Sequence, residues 1–265
     1  MPTTLRARRR WSPLAAPAID KPSPRAGLRD IPFSLGPALP FPGLESKDGV
    51  ACATSSIKLA SGETGLPSTT PPRIGVLALQ GDYEAHAAAL KESGAVPSLV
   101  KAAAGLSDLD GLVLPGGEST TMLKFLERDG FLEALKAFAG EKPVFGTCAG
   151  AILLAKEVRH PSQTSLGILD IVVERNAYGA QRDSAILHLQ TELPGGPLET
   201  VFIRAPRIVS AGPGVRVLLE REGFPALVLE RGARTSTMAA TFHPELSADR
   251  RVHRLFVDLV ASQEK

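Results

Sequence analysis

Cys148 lies in the run Gly146-Thr147-Cys148-Ala149-Gly150, between the apolar pair Val144-Phe145 and the apolar stretch Ala151-Ile152-Leu153-Leu154-Ala155. That pattern reads as a strand turning tightly into a helix with a thiol on the turn, by analogy with the nucleophile elbow of hydrolases. Small neighbours let the backbone take a strained conformation, and the N-terminus of the following helix favours a thiolate. A glycine-flanked cysteine is equally at home as a small buried hydrophobe, so alone it does not decide for catalysis. The weight comes from Phe242-His243-Pro244-Glu245, which closes a much later apolar run. Read as an extended segment, residues two apart point to the same side, so the His243 and Glu245 side chains act together. An imidazole activates the thiol and returns its proton to a leaving amine, and a carboxylate behind it fixes the tautomer and stabilises the imidazolium. The competing reading makes His243-Pro244 a plain strand end and Glu245 the start of the last helix.

A third element is Leu114-Pro115-Gly116-Gly117-Glu118-Ser119-Thr120-Thr121. Two glycines after a buried strand let backbone N–H groups turn toward an oxyanion, with the dipole of the following helix behind them. An ordinary strand-to-helix turn has the same composition, so this segment too needs the others beside it. Arg175 and Arg204 each follow an apolar run and offer a planar fork suited to a carboxylate. By themselves they read as solvated charges at strand ends.

These residues need a scaffold. Residues 74–79 form a short apolar run bounded by prolines and by Gln80-Gly81, as a buried parallel strand does. Asp82 is placed to cap a helix running to Ser93, with Gly94 ending it. Strands are expected at 98–100, 111–114 and 143–146, and helices at 120–127 and 131–139. Further strands are expected at 171–174, 201–204, 217–220, 226–230 and 238–242, with a hairpin around Arg221-Glu222-Gly223-Phe224. A last helix from Ala248 carries Val252, Leu255, Phe256, Leu259 and Val260 on one face. The alternation predicts one α/β domain, a mostly parallel central sheet flanked by helices, of flavodoxin-like character.

The 265-residue chain is 43% hydrophobic, enough for a real core, and its net charge of +2 gives no reason to invoke nucleic acid. No apolar run approaches the ~20 residues of a membrane-spanning helix. Cys52 and Cys148 are too few and too isolated for a disulfide framework or a zinc cluster, so a reducing cytoplasmic compartment is expected. Residues 1–72 are rich in proline, serine, alanine and glycine without sustained periodicity and read as a disordered or loosely attached extension. Arg6, Arg8, Arg9 and Arg10, with no acidic residue before Asp20, leave organelle targeting as one alternative and a start codon placed too far upstream as another. The domain itself is expected at 73–265. His86, His160, His188 and His253 have no carboxylate or cysteine arranged beside them in sequence and read as structural or surface residues.

Taken together, residues 73–262 resemble a class I glutamine amidotransferase, and more narrowly the glutaminase subunits of pyridoxal 5′-phosphate synthase. The stretches that carry the likeness are Gly75-Val76-Leu77-Ala78-Leu79-Gln80-Gly81, 114–122, 145–150, Val172-Val173-Glu174-Arg175-Asn176, 201–206 and 242–246. The resemblance implies that Cys148, His243 and Glu245 are the triad. It implies that Gly117, Glu118, Ser119, Arg175, Ile203 and Arg204 bind L-glutamine, and the N–H groups of Gly117 and Ala149 are the expected oxyanion hole. It also implies hydrolysis to glutamate and ammonia, without metal or organic cofactor, and delivery of the ammonia to a separate synthase subunit in vitamin B6 biosynthesis. The segment 80–86 is expected to lie near that partner. The rival readings are the same glutaminase chemistry serving another synthase, a catalytically silent scaffolding module, and a cysteine peptidase or chaperone on a related sheet.

Overall fold

The computed structural model describes residues 70–175 and 184–263. The N-terminal extension up to residue 69, with Cys52, and Asn176 of the quoted motif lie outside the described residues. The chain runs through β1 (Arg73–Leu77), α1 (Tyr83–Glu92), β2 (Val96–Val100), β3 (Gly111–Leu114), α2 (Ser119–Leu126), α3 (Phe131–Ala139), β4 (Val144–Thr147) and α4 (Ala149–Leu154). It continues through β5 (Ala155–Arg159), β6 (Leu169–Glu174), β7 (Ala185–Leu189), β8 (Leu198–Phe202), β9 (Arg207–Ala211), β10 (Val215–Arg221), β11 (Phe224–Arg231), β12 (Ser236–Ala240) and α5 (Arg251–Ala261).

Seven strands form the central sheet in the order β10-β11-β12-β4-β3-β1-β2. The strands from β12 to β2 are parallel, and β10 and β11 add an antiparallel hairpin at one edge. Helices cover both faces, so the inner strands are buried on both sides and read as unbroken apolar runs. Val76, Val113, Phe145 and Met238 pack toward α1 and α5 with Leu90, Val252 and Phe256. Leu112, Leu114, Val144 and Ala239 pack toward α2, α3 and α4 with Met122, Leu135 and Leu153. The α/β architecture expected from the sequence is therefore borne out. A smaller sheet, β5-β6-β9, and the pair β7-β8 hold the remaining described strands. Among the described residues no helix is long and apolar enough to cross a membrane.

Several local expectations need correction. β5 follows α4 without a break, so its sequence reads as more of the same helical run; β7 and β9 are half exposed, and β7 lays only Leu187 and Leu189 on the core. The last helix begins at Arg251 rather than Ala248, because Ser247 Oγ accepts from Asp249 N and Asp249 Oδ1 accepts from Arg251 N, a side-chain turn ahead of the helix. Asp82 does stand at the head of α1, but its side chain makes no capping bond.

The parallel strands β1, β3, β4 and β12 all end on one edge, where α/β sheets gather their ligands. Gln80, Gly116, Cys148 and His243 follow those ends in turn. At Gly150 the backbone of α4 comes down onto β3, and a Cβ there would lie 2.0 Å from the Leu114 carbonyl oxygen. Gly150→Ala is therefore expected to cost about 2 kcal/mol or more and to lower the melting temperature by several degrees. An unchanged midpoint in thermal unfolding would contradict this packing.

Candidate active site

Cys148 heads α4 with φ +47° and ψ −102°, outside the regions open to an ordinary side chain. Such a conformation costs on the order of 1–3 kcal/mol and persists only where neighbours enforce it. Its N–H donates to the Ala240 carbonyl at 2.8 Å, across the β4–β12 pairing, while its own carbonyl accepts from Ile152 N at 3.3 Å. The sulfur lies 4.0 Å from the Ile203 carbonyl oxygen.

His243 reaches the same place from the end of β12, its N–H bonded to the Val201 carbonyl at 2.8 Å. His243 Nδ1 and Glu245 Oε1 are 2.7 Å apart, and both residues are only 5% exposed. The pair does not stand on an extended segment as anticipated: β12 stops at Ala240, and Pro244–Leu246 forms a short 3-10 turn that His243 heads. Burial works against the His243 imidazolium, but hydrogen bonds with Cys148 and with Glu245 outweigh it and hold the pKa up at about 10. For Glu245 burial alone would raise the carboxyl, but His86 and His243 on its two sides hold it below the usual carboxylate range.

His86 is structural, as one half of the sequence reading had it, and not a surface residue. It is fully buried, with Nε2 3.2 Å from Glu245 Oε2 and 3.0 Å from Thr147 Oγ1, so it has a carboxylate beside it and no surface to offer a partner. His253 lies behind it at 3.1 Å, and burial first, then His86 and Arg250, push its pKa down to about 3 against the pull of Glu245. Neither was singled out from sequence, although each occupies an apolar-face position of an amphipathic helix, which was the available signal.

The cleft above the sulfur is an open cavity of about 310 Å³. It is lined by Gln80, Asp82, Gly117, Glu118, Ser119, Cys148, Ile152, Arg175, Ile203, Arg204 and His243, so the residues expected to bind substrate are brought together, and Ala149 follows Cys148 below them. Gly116 is obligatory for a steric reason, since a Cβ there would lie 2.4 Å from the His243 ring. Glu118 has a second duty that sequence did not reveal. Its carboxylate caps α2 by accepting from Thr120 N at 3.2 Å and Thr121 N at 2.7 Å, and lies 3.5 Å from Arg175. Burial opposes ionisation there, but the bonds from Thr120 and Thr121 bring its pKa down to about 2. The Glu118 N–H donates to Gln80 Oε1 at 3.0 Å, which ties the glycine turn to the exit of β1. Ser119 Oγ donates to Gln163 Oε1 at 2.9 Å, and Arg204 has φ +45°. Donor atoms of Asp82, His243 and Glu245 fall within 4.8 Å of one another, but the facing atoms of the last two are engaged with each other.

A cysteine elbow after one parallel strand, a His–Glu pair after another and a glycine turn after a third stand on the fold of a class I glutamine amidotransferase. The sequence profile of the SNO glutamine amidotransferase family matches residues 76–262, and the chain belongs to that family. A relative in Koribacter versatilis (strain Ellin345), named pyridoxal 5′-phosphate synthase subunit PdxT, is 54% identical over 188 residues, spanning 71% of this chain and 95% of its own. A second of the same name, in Solibacter usitatus (strain Ellin6076), is 50% identical over 191 residues, 70% of this chain and 97% of its own. A solved structure described as a glutamine amidotransferase superposes with a TM-score of 0.64 at 43% identity, covering 71% of this chain and 98% of that one.

The two unusual histidines pull stability in opposite directions with pH. His243, raised above the ordinary value of 6.5, contributes stability that is full below about 6.5 and lost as pH rises toward about 10. His253, lowered to about 3, contributes stability that is full above about 6.5 and lost as pH falls, by up to about 1.4 kcal/mol per pH unit. Between pH of about 6.5 and about 5, where carboxylates stay ionised, the urea midpoint should fall on acidification. His253→Phe, which has nothing to protonate, should flatten that fall; an equally steep one would assign it to other groups.

Proposed function

We propose that the chain hydrolyses L-glutamine to L-glutamate and ammonia with Cys148, His243 and Glu245 as its catalytic triad, and hands the ammonia to the synthase subunit of a pyridoxal 5′-phosphate synthase. The observation that carries the proposal is the strained Cys148 in one cleft with His243, which is itself bonded to the buried Glu245. Cys148 Sγ attacks the side-chain amide carbon of glutamine. The resulting oxyanion is received by the N–H groups of Gly117 and Ala149, and protonated His243 gives its proton to the amine as the C–N bond breaks. Water, deprotonated by neutral His243, then attacks the γ-glutamyl thioester; glutamate leaves and the thiol is restored. This sequence calls on no metal or organic cofactor.

Specificity for an amino acid needs both signs of charge beside the thiol. Arg175 and Arg204 receive the α-carboxylate, while Glu118, Ser119 and the Ile203 carbonyl face the α-ammonium end. Glu118 contributes chiefly by holding Arg175 and the head of α2. The partner docks over the exposed residues Gly81, Asp82, Glu84 and Gly117 beside the cleft. The names of the two relatives support this assignment. Residues 73–265 are the catalytic unit, supported by the family match at 76–262. An unpaired catalytic thiol suits the cytoplasm.

Cys148→Ala is expected to reduce ammonia release from glutamine by on the order of a thousandfold or more, and His243→Asn by a comparable factor. Glu245→Gln should be milder, because the base remains but is poorly oriented. Substantial turnover by Cys148→Ala would end the mechanism. The partner is tested by mixing this protein with the purified synthase subunit, a pentose phosphate, a triose phosphate and glutamine, and following cofactor formation by absorbance. Synthesis supported by ammonium but not by glutamine, with no change in glutaminase rate, would sink the partner assignment alone. A chain beginning at Pro72 should keep full activity and the same melting temperature; loss of either would give the extension a role.

A further inference from the structure

Glu245 has two oxygens, and the hydrolysis uses one. Oε1 faces His243, whereas Oε2 faces the interior, where His86 Nε2 stands 3.2 Å away in an oblique contact shared with Thr147 Oγ1. His253 Nε2 is 3.1 Å from His86 Nδ1, and both rings are 0% exposed. Phe145 presses edge-on against both, with ring centroids 6.4 and 6.3 Å away, which fixes their planes. Two fully buried histidines in line with the carboxylate are thus left unused by the mechanism.

The position of the His253 proton follows from hydrogen-bond accounting. His253 is neutral, and its Nδ1 has no partner. A buried N–H without an acceptor is costlier than a bare lone pair, so the proton of His253 sits on Nε2 and points at His86 Nδ1. His86 Nε2, on the other side of its ring, bonds with Thr147 Oγ1 at 3.0 Å and lies 3.2 Å from Glu245 Oε2.

We propose that His86 and His253 are positioning residues for the triad: backed by His253, the His86 ring stands 3.2 Å from Glu245 Oε2, stops the carboxylate from rotating and keeps Oε1 aimed at His243 Nδ1. The proposal rests on the triad reading above. Its physical basis is that a carboxylate held through one oxygen turns about its last bond, while one held through both does not, and outer partners of this kind typically change activity 10- to 100-fold. The other charged or titratable groups facing the row are His243, after β12, and Arg250, at the head of α5.

The test uses the full chain with His86→Leu, His86→Gln and His253→Phe. It measures kcat and KM for glutamine in the presence of the synthase partner and, separately, the titration of the His243 ring by NMR with histidine labelled. His86→Leu is expected to lower kcat about 10- to 100-fold with KM within about twofold, and to move the His243 titration down by about one unit or more from its high value. His86→Gln, which restores an N–H near Oε2, should recover much of both. A kcat within about twofold together with an unmoved titration in His86→Leu would overturn the proposal, as would a glutamine variant no better than the leucine one. If His86→Leu fails to fold, His253→Phe carries the test: a several-fold loss of kcat with a smaller downward shift supports the row, and wild-type values refute it. The titration needs no turnover, so a wild type inactive on glutamine with a shifted variant titration would reject the glutaminase reading and leave the positioning role standing.

Discussion

Burying a carboxylate costs several kcal/mol unless fixed donors replace the water it loses. Glu245 meets that condition only because three parts of the chain converge on it: α1 brings His86, α5 brings His253 behind it, and the exit of β12 brings His243. The requirement explains why polar rings sit between two helices that are otherwise packed with Leu90, Val252 and Phe256. It also makes the interior of the domain and its reactive edge a single unit. A change that loosened α1 against α5 would reach the thiol through the carboxylate and the imidazole, without touching either directly.

The sheet supplies the other half of the geometry. Parallel strands set their carboxyl ends side by side, so residues distant in sequence meet once register is fixed. Thr147 pairs with Ala240 and Leu114 pairs with Gly146, and that register brings the cysteine turn, the glycine turn and the histidine together. Backbone contact does much of the rest. The glycine turn lies against the His243 ring, the α4 backbone lies against β3, and Gln80 bonds to Glu118 N. These close approaches select glycine more strictly than any catalytic demand does.

Much of this was legible in sequence because the signals were local. Buried parallel strands announce themselves as unbroken apolar runs, and 111–114 and 131–139 were delimited as found. The thiol, imidazole and carboxylate were legible because each sits beside turn residues in an unusual composition. His86 and His253 were not, because a histidine on an apolar helix face has the same local signature whether its partner is a backbone group or a buried carboxylate. The identity of that partner is decided by packing across the sheet. The capping duty of Glu118 was hidden by the glycine turn, which offered a competing reason for an acidic residue there. β5 was missed because nothing in the sequence marks the end of α4, which stops where its chain joins β6.

The place of β12 in the sheet bears on how the molecule comes into being. It is the last strand among the described residues, yet it lies between β4 and β11 rather than at an edge. During synthesis β4 therefore has an open flank until β12 arrives, and the amide of Cys148 has no carbonyl to bond to until Ala240 is in place. The strained turn and the His243 imidazole that follows β12 are set in place by the same event. A nascent or truncated chain consequently carries an ordinary cysteine, and the strained turn beside the imidazole forms only when the sheet closes.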